Sequence, residues 1–218
     1  MHLRDMISEL ALAKVYERPN AEITTIDLQG WNSDHPIFEK VIARVRPEQI
    51  IEVGTWKGAS AIHMTELAKS LGSDVITVCV DTFTGSNAIL WIDNELSGLL
   101  TRDEYGFPST YPQFLFNVQA KGLSRNIVPF PVTATCGAEV MRHFGVQADL
   151  IYIDAGHREV EISLDMNDYW PLLRAGGIMF GDDYSWPGVI AAVDKFADVE
   201  AMPVQVEDYK WWFEKPTG

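Results

Sequence analysis

With 218 residues, 47% of them hydrophobic, the chain can bury one sizeable core, and a single domain with an N-terminal appendage is expected. A formal net charge of −14 works against phosphate backbones and anionic membranes as partners, which leaves a small neutral or cationic substrate. No apolar run approaches the ~20 residues of a membrane span, Met1–Asp5 begins no secretory h-region, and Cys79 and Cys136 fit neither a Cys-x-x-Cys pair nor a zinc pattern, so a cytoplasmic protein with two buried free thiols is expected.

Leu3, Met6, Ile7, Leu10 and Val15 have helical spacing, which predicts an amphipathic helix ending before Pro19. Residues 19–35 carry breakers, among them Gly30 and Asp34-His35-Pro36. Ile37, Val41, Ile42 and Val45 predict a second helix, opened by Pro36 and stopped before Pro47. Ile50–Val53 reads as a strand buried on both faces, followed by a turn with Gly54 and Gly58 and a helix to about Leu71. Val75–Val80 is a second strand, ending at Asp81. Residues 82–117 far exceed the about two to six residues usual for such a connection, and with Trp91, Tyr105, Phe107, Tyr111 and Phe114 they read as a lid over about 84–117. Ile127–Val132 is a third strand, Ala138–Phe144 a short helix, and Leu150–Ile153 a fourth strand ending at Asp154. Val160–Trp170 is helical, and Pro171 opens a turn to Gly176-Gly177. Ile178–Phe180 is a fifth strand ending at Gly181-Asp182-Asp183, Pro187–Phe196 a last helix, and Val204–Val206 and Lys210–Phe213 two closing strands.

Strands alternating with helices imply a parallel sheet covered on both faces, with right-handed crossovers bringing the strand C-termini to one edge. Gly54, Asp81, Thr133–Thr135, Asp154 and Asp182-Asp183 are then expected around one cleft. The turn reads Glu52-x-Gly54-x-x-x-Gly58, which is neither the dinucleotide glycine spacing nor a nucleoside-triphosphate loop. Asp81 is placed to accept hydrogen bonds from an adenosine ribose, or to cap its own turn. Three carboxylates at Asp154, Asp182 and Asp183 would repel unless one stays protonated or a hard cation such as Mg²⁺ lies between them; Asp182 or Asp183 could instead cap the following turn. His157 could be a general base or bond a carbonyl. Trp31 and Trp211-Trp212 read mainly as packing.

I-I-E-V-G-T-W-K-G at 50–58, V-D-T-F at 80–83 and the run from Asp149 to Tyr184 resemble the class I S-adenosylmethionine-dependent methyltransferases. The branch is that of the macrocin and novobiocic-acid sugar O-methyltransferases and the cephalosporin-hydroxylase-like proteins. Its marks are Asp-x-Gly/Ala-x-His after strand four, Trp-x-x-Leu-x-x-Gly-Gly, and Asp-Asp after strand five; the likeness covers roughly residues 49–214. It implies a Rossmann-like α/β fold with a seven-stranded, mostly parallel sheet, an antiparallel last strand and helices on both faces. The domain would span 47–218 behind a helical appendage over 1–46. Implied cofactor contacts are Glu52, Gly54, Thr55, Gly58, Ser60, Asp81, Thr135 and Asp154. Asp154, Asp182 and Asp183 would bind Mg²⁺, and Asp154 and His157 would serve catalysis. The expected activity is Mg²⁺-assisted O-methylation of a small hydroxylated molecule, with an inactive nucleoside-binding regulatory or scaffold protein as the alternative. The N-terminal helices could pack into a homo-oligomer interface.

Overall fold

The computed structural model describes residues 1–17, 23–85, 88–92 and 95–218; Pro19 and four residues of the expected lid (86, 87, 93 and 94) lie outside them. Among these residues the strands are β1 (Gln49–Val53), β2 (Ile76–Val80), β3 (Ile127–Phe130), β4 (Ala148–Ile153), β5 (Leu173–Gly181), β6 (Gln205–Glu207) and β7 (Lys210–Glu214). They form one sheet in the order β3-β2-β1-β4-β5-β7-β6. β1 to β5 pair in parallel, and β7 runs antiparallel to both β5 and β6. The sheet is thus the seven-stranded, mostly parallel one expected, with an antiparallel last strand.

The helices are α1 (Leu3–Glu9), α2 (Ile37–Val45), α3 (Ala59–Ser70), α4 (Ile89–Ile92), α5 (Thr110–Ala120), α6 (Ala134–His143), α7 (Glu159–Tyr169) and α8 (Pro187–Glu200). Side chains alternate across the sheet with period two, so β1 sends Ile51 and Val53 to one face and Ile50 and Glu52 to the other. Ile51 and Val53 join Met166, Val189 and Phe196 from α7 and α8. Ile50 joins Phe38 and Ile42 from α2, Met64 from α3, and Tyr152 and Phe180 from the sheet. No described helix is long and apolar enough to cross a membrane.

Several boundaries differ from the sequence-based expectation, each for a local reason. α1 ends at Glu9 because Ala11 takes a left-handed φ of +53°, and Leu12–Glu17 continue as a 3-10 turn. α6 begins at Ala134 because the Thr133 side chain accepts the Cys136 N–H at 3.3 Å and caps it, so Thr135 lies on a helix. β5 starts at Leu173, running through the expected glycine turn: Gly176 takes φ +71° and the pairing with β4 shifts register between Ala148 and Leu150. The long connection carries α4, a 3-10 turn at Ser97–Leu99 and α5, and Phe114 within it is fully buried. Cys79 is buried as expected, whereas Cys136 is exposed on the first turn of α6.

Register fixes what stands at the C-terminal edge. Val80, Val53, Ile153 and Gly181 lie side by side in the sheet, and Trp211 of β7 pairs with Gly181. The next residue along each strand is Asp81, Gly54, Asp154 and Asp182 in turn. Because β7 is antiparallel, the residue of β7 opposite Asp182 is Lys210. The row closes tightly: a Cβ on Gly181 would lie 2.3 Å from the Trp211 ring and 2.7 Å from the Ile153 carbonyl oxygen. Gly181→Ala is therefore expected to cost about 1–3 kcal/mol by overpacking. A urea melt should show a lower midpoint at unchanged slope; an unchanged midpoint would mean that Trp211 does not seat against Gly181.

Candidate functional site

The turn after β1 is held by two carboxylates. Asp81 accepts the Thr55 and Trp56 N–H groups on one oxygen at 2.9 and 3.0 Å, and the Phe83 N–H on the other at 2.7 Å. Glu52 lies beneath, wholly buried, accepting from Thr55 Oγ1 at 2.5 Å, from Ser60 Oγ, and from Cys79 Sγ at 3.5 Å. Loss of water pushes the Glu52 carboxyl up to about 7, against those hydrogen bonds, which favour its charged form. Gly54 (φ +80°) admits a close approach that no other residue could: a Cβ there would stand 2.1 Å from the Asp154 carbonyl oxygen. Gly58 (φ +87°) ends the turn and begins α3 against the Phe114 ring.

Beside this turn, Asp154, Asp182 and Asp183 each meet a different partner. Tyr152 donates its hydroxyl to Asp154 Oδ2 at 2.9 Å and accepts from Lys210 Nζ at 2.8 Å. Lys210 Nζ also pairs with Asp182 Oδ2 at 2.8 Å, with side-chain exposures of only 0% and 2%. Asn32 donates to the same oxygen of Asp182 at 3.3 Å, and the other oxygen takes the Asp183 N–H at 2.7 Å. Asp183, at φ +63°, turns its carboxylate to His157 Nε2 at 2.8 Å. Desolvation first, then the charge of Asp182, raises the pKa of Asp154, with Lys210 opposing. The hydrogen bond to Asp183 raises that of His157, against partial burial. The His157 ring lies 4.7 Å from the half-exposed Trp186 ring, 31° from parallel.

These contacts bear on the Mg²⁺ that the resemblance implies. A six-coordinate hard cation needs carboxylate oxygens converging on one point. Here an oxygen of each is already engaged, by Tyr152, Lys210 and His157 in turn, and among the described residues no three His, Cys, Asp or Glu side chains are grouped to hold one metal ion. As arranged, this donor set does not fit the ion.

The N-terminal segment lies along the same edge. Asp27 pairs with Lys57 at 2.6 Å, Gln29 accepts from Trp56 Nε1 at 3.0 Å, and the Trp31 and Trp56 ring centroids are 6.0 Å apart. Of the residues singled out from sequence, Gly54, Asp81, Asp154, His157, Asp182 and Asp183 gather at this edge. Thr55 and Ser60 are buried on Glu52 as braces of the turn, and Thr135 is exposed on α6. Sequence reasoning missed Tyr152, Lys210, Asn32 and Trp186. Tyr152 stood two residues before Asp154 on one strand face and could have been found; Lys210 and Asn32 carry no local signal.

A family model described as "Methyltransferase domain" matches residues 51–184. Among solved structures, the chain is similar to the O-methyltransferase NovP (16% identity, TM-score 0.62, 98% of each chain covered). It is also similar to an O-methyltransferase from Bacillus cereus in complex with SAH (14% identity, TM-score 0.58, 97% of this chain and 91% of that one). A third is CalS11, a TDP-rhamnose 3'-O-methyltransferase of calicheamicin biosynthesis (14% identity, TM-score 0.59, 95% and 94%). The curated proteins give no match.

The His157–Asp183 pair makes stability depend on pH with a definite sign. The folded-state pKa of His157 is raised, so the contribution is full below the unfolded value of about 6.5 and is lost as pH rises through the folded value. Relative to His157→Gln, the wild type should be more stable by about 1 kcal/mol at pH 6, with the gap closing toward alkaline pH. NMR titration of the His157 ring checks it; a midpoint at or below 6.5 would refute it.

Proposed function

The chain belongs to the methyltransferase-domain family, and we propose that it transfers the methyl group of S-adenosylmethionine to a hydroxyl of a small molecule. The observation that carries this reading is the register row: Asp81, with an oxygen able to meet a ribose, ends the strand on one side of the Gly54 turn, and Asp154, with His157 three residues on, ends the strand on the other. The complex of the Bacillus cereus relative with SAH supports the cofactor, and the sugar named for CalS11 supports a hydroxylated acceptor.

The donor set suits the cofactor. Oδ1 of Asp81 accepts one backbone N–H, which leaves it a lone pair for a ribose hydroxyl. Asp81 and Asp154, on either side of the Gly54 turn, suit a cationic sulfonium. Bound there, the cofactor supplies an electrophilic methyl group. The Gly54 turn and Asp81 would hold the cofactor with that methyl toward an acceptor hydroxyl, and the His157–Asp183 pair would take the hydroxyl proton. Asp183 orients the ring through Nε2 and favours the imidazolium that results. Trp186 against His157 and Trp31 against Trp56 offer apolar walls for the acceptor. Mg²⁺ has no step in this proposal, because its expected ligands are held by other partners.

The segment 88–92 and 95–108 is proposed as the part that closes over substrate. Tyr105 and Phe107 expose large apolar surface there, while α5 behind them is packed on the turn. Hydrogen exchange should slow over 95–108 when the cofactor product and an acceptor are both present and stay unchanged in α5; protection of 95–108 without ligands would rule out closure.

Calorimetry should give one S-adenosylmethionine site per chain. Asp81→Ala should weaken it by about 1.5–3 kcal/mol, roughly 10- to 150-fold. Release of S-adenosylhomocysteine across a panel of sugars and phenols reads the reaction itself, and His157→Ala should slow turnover by about 10²–10⁴. No cofactor heat in the folded wild type would sink the proposal; binding without turnover on any acceptor would favour a binding protein.

A further inference from the structure

We propose that Lys210 is the resident cation of this site: its ammonium takes the place that a divalent metal would need, so the carboxylates are organised without one. The inference deepens the methyl-transfer reading and rests on it for its functional meaning, though not for its test.

Lys210 is the first residue of β7, where a lysine would ordinarily run its stem along the surface and lift its charge into water. Here it is fully buried, a rare state for lysine unless paired. The antiparallel register, with Trp211 opposite Gly181, puts it across from Asp182. Two of its three donors are spent at 2.8 Å, on Asp182 Oδ2 and on the Tyr152 hydroxyl. The Phe38 and Tyr152 rings stand 5.0 and 5.1 Å from the ammonium and close it in. Tyr152 passes the effect on, since its hydroxyl, accepting from Lys210, donates to Asp154 Oδ2 at 2.9 Å. One ammonium therefore fixes both Asp154 and Asp182. A divalent ion between those two carboxylates would face this charge at close range in a dry site, where repulsion is little screened. The third carboxylate, Asp183, is turned away to His157. Lys210 touches no reacting atom in this arrangement and is a positioning residue.

The test uses the full-length protein stripped of metal and Mn²⁺ alone as probe, read by electron paramagnetic resonance, so it needs no acceptor. The wild type should take up no stoichiometric Mn²⁺ below about millimolar concentration, a weak hard-cation range. Its melting temperature should be the same with chelator and with Mg²⁺. Lys210→Met should gain one Mn²⁺ site at least ten times tighter, and Asp182→Asn in that background should remove it. Tight Mn²⁺ binding by the wild type that is lost in Asp154→Asn or Asp182→Asn would overturn the proposal. So would a folded Lys210→Met that still takes no Mn²⁺. Should Lys210→Met not fold, the wild-type titration decides alone: silence supports the proposal, tight binding overturns it. Failure of methyl transfer would show instead as absent cofactor binding or turnover, with these metal results unchanged.

Discussion

The cleft depends on how closely β1 and β4 approach where both strands end. Gly54 donates its N–H to the Val80 carbonyl on one side, and on the other its missing side chain lets the Asp154 carbonyl oxygen come to within 2.1 Å of where a Cβ would be. That contact ties three strand ends together. It sets the position of Asp154 relative to the turn, and the turn in turn directs the Thr55 and Trp56 amides at Asp81. A single methyl at Gly54 would have to move backbone, not a side chain. The geometry of the whole edge is thus set by backbone packing before any functional side chain is considered.

The second constraint is electrostatic. Glu52, Asp154, Asp182 and Asp183 lie close together in a chain whose overall balance is already −14. Burial alone would expel such charges, and the structure answers in different ways at each. Glu52 is given hydroxyl and thiol donors and a pKa pushed to about 7, so that it can sit buried with a proton near neutrality. Asp182 is given an ammonium. Asp154 shares the Tyr152 hydroxyl, which Lys210 polarises. Asp183 is left partly in water beside His157. Glu52 and Asp182 are thus sealed, whereas Asp154 and the Asp183–His157 pair stay partly open to water, where a proton can be exchanged.

Much of this was legible because the parallel strands make sequence position and spatial position equivalent. Alternating strands and helices imply that Gly54, Asp81, Asp154 and Asp182 share an edge, and they do. What local pattern could not carry was long-range pairing. The glycines at 176 and 177 look like a stop, yet β4 pairs with Leu173 before them and Ile178 after them, and their own hydrogen bonds to the Lys215 backbone hold them in β5. Lys210 before Trp211-Trp212 looks like the wet start of a strand, and only its register with β5 buries it. Asn32 reaches Asp182 across 150 residues from a stretch rich in breakers. The pattern puts the helix start at Ala138, beyond Thr135, because the Thr133 cap, a single side-chain oxygen, decides where α6 begins.

The antiparallel ending of the sheet has a consequence that a wholly parallel sheet would lack. Parallel strands bring to the functional edge the residues that follow them, and here three of those, Asp81, Asp154 and Asp182, are acids. β7 runs the other way, so it brings to the same edge the residue that begins it. The chain thereby sets a base against acids without a loop long enough to wander, since Lys210 is anchored on one side by the Glu207 pairing and on the other by Trp211, whose indole N–H donates to the Asp182 carbonyl at 3.0 Å. The side chain of Asp182 meets Lys210 and its main chain meets Trp211, two successive residues of one strand. A substitution at either therefore acts on the same residue, which is why packing and charge cannot be separated at this end of the sheet.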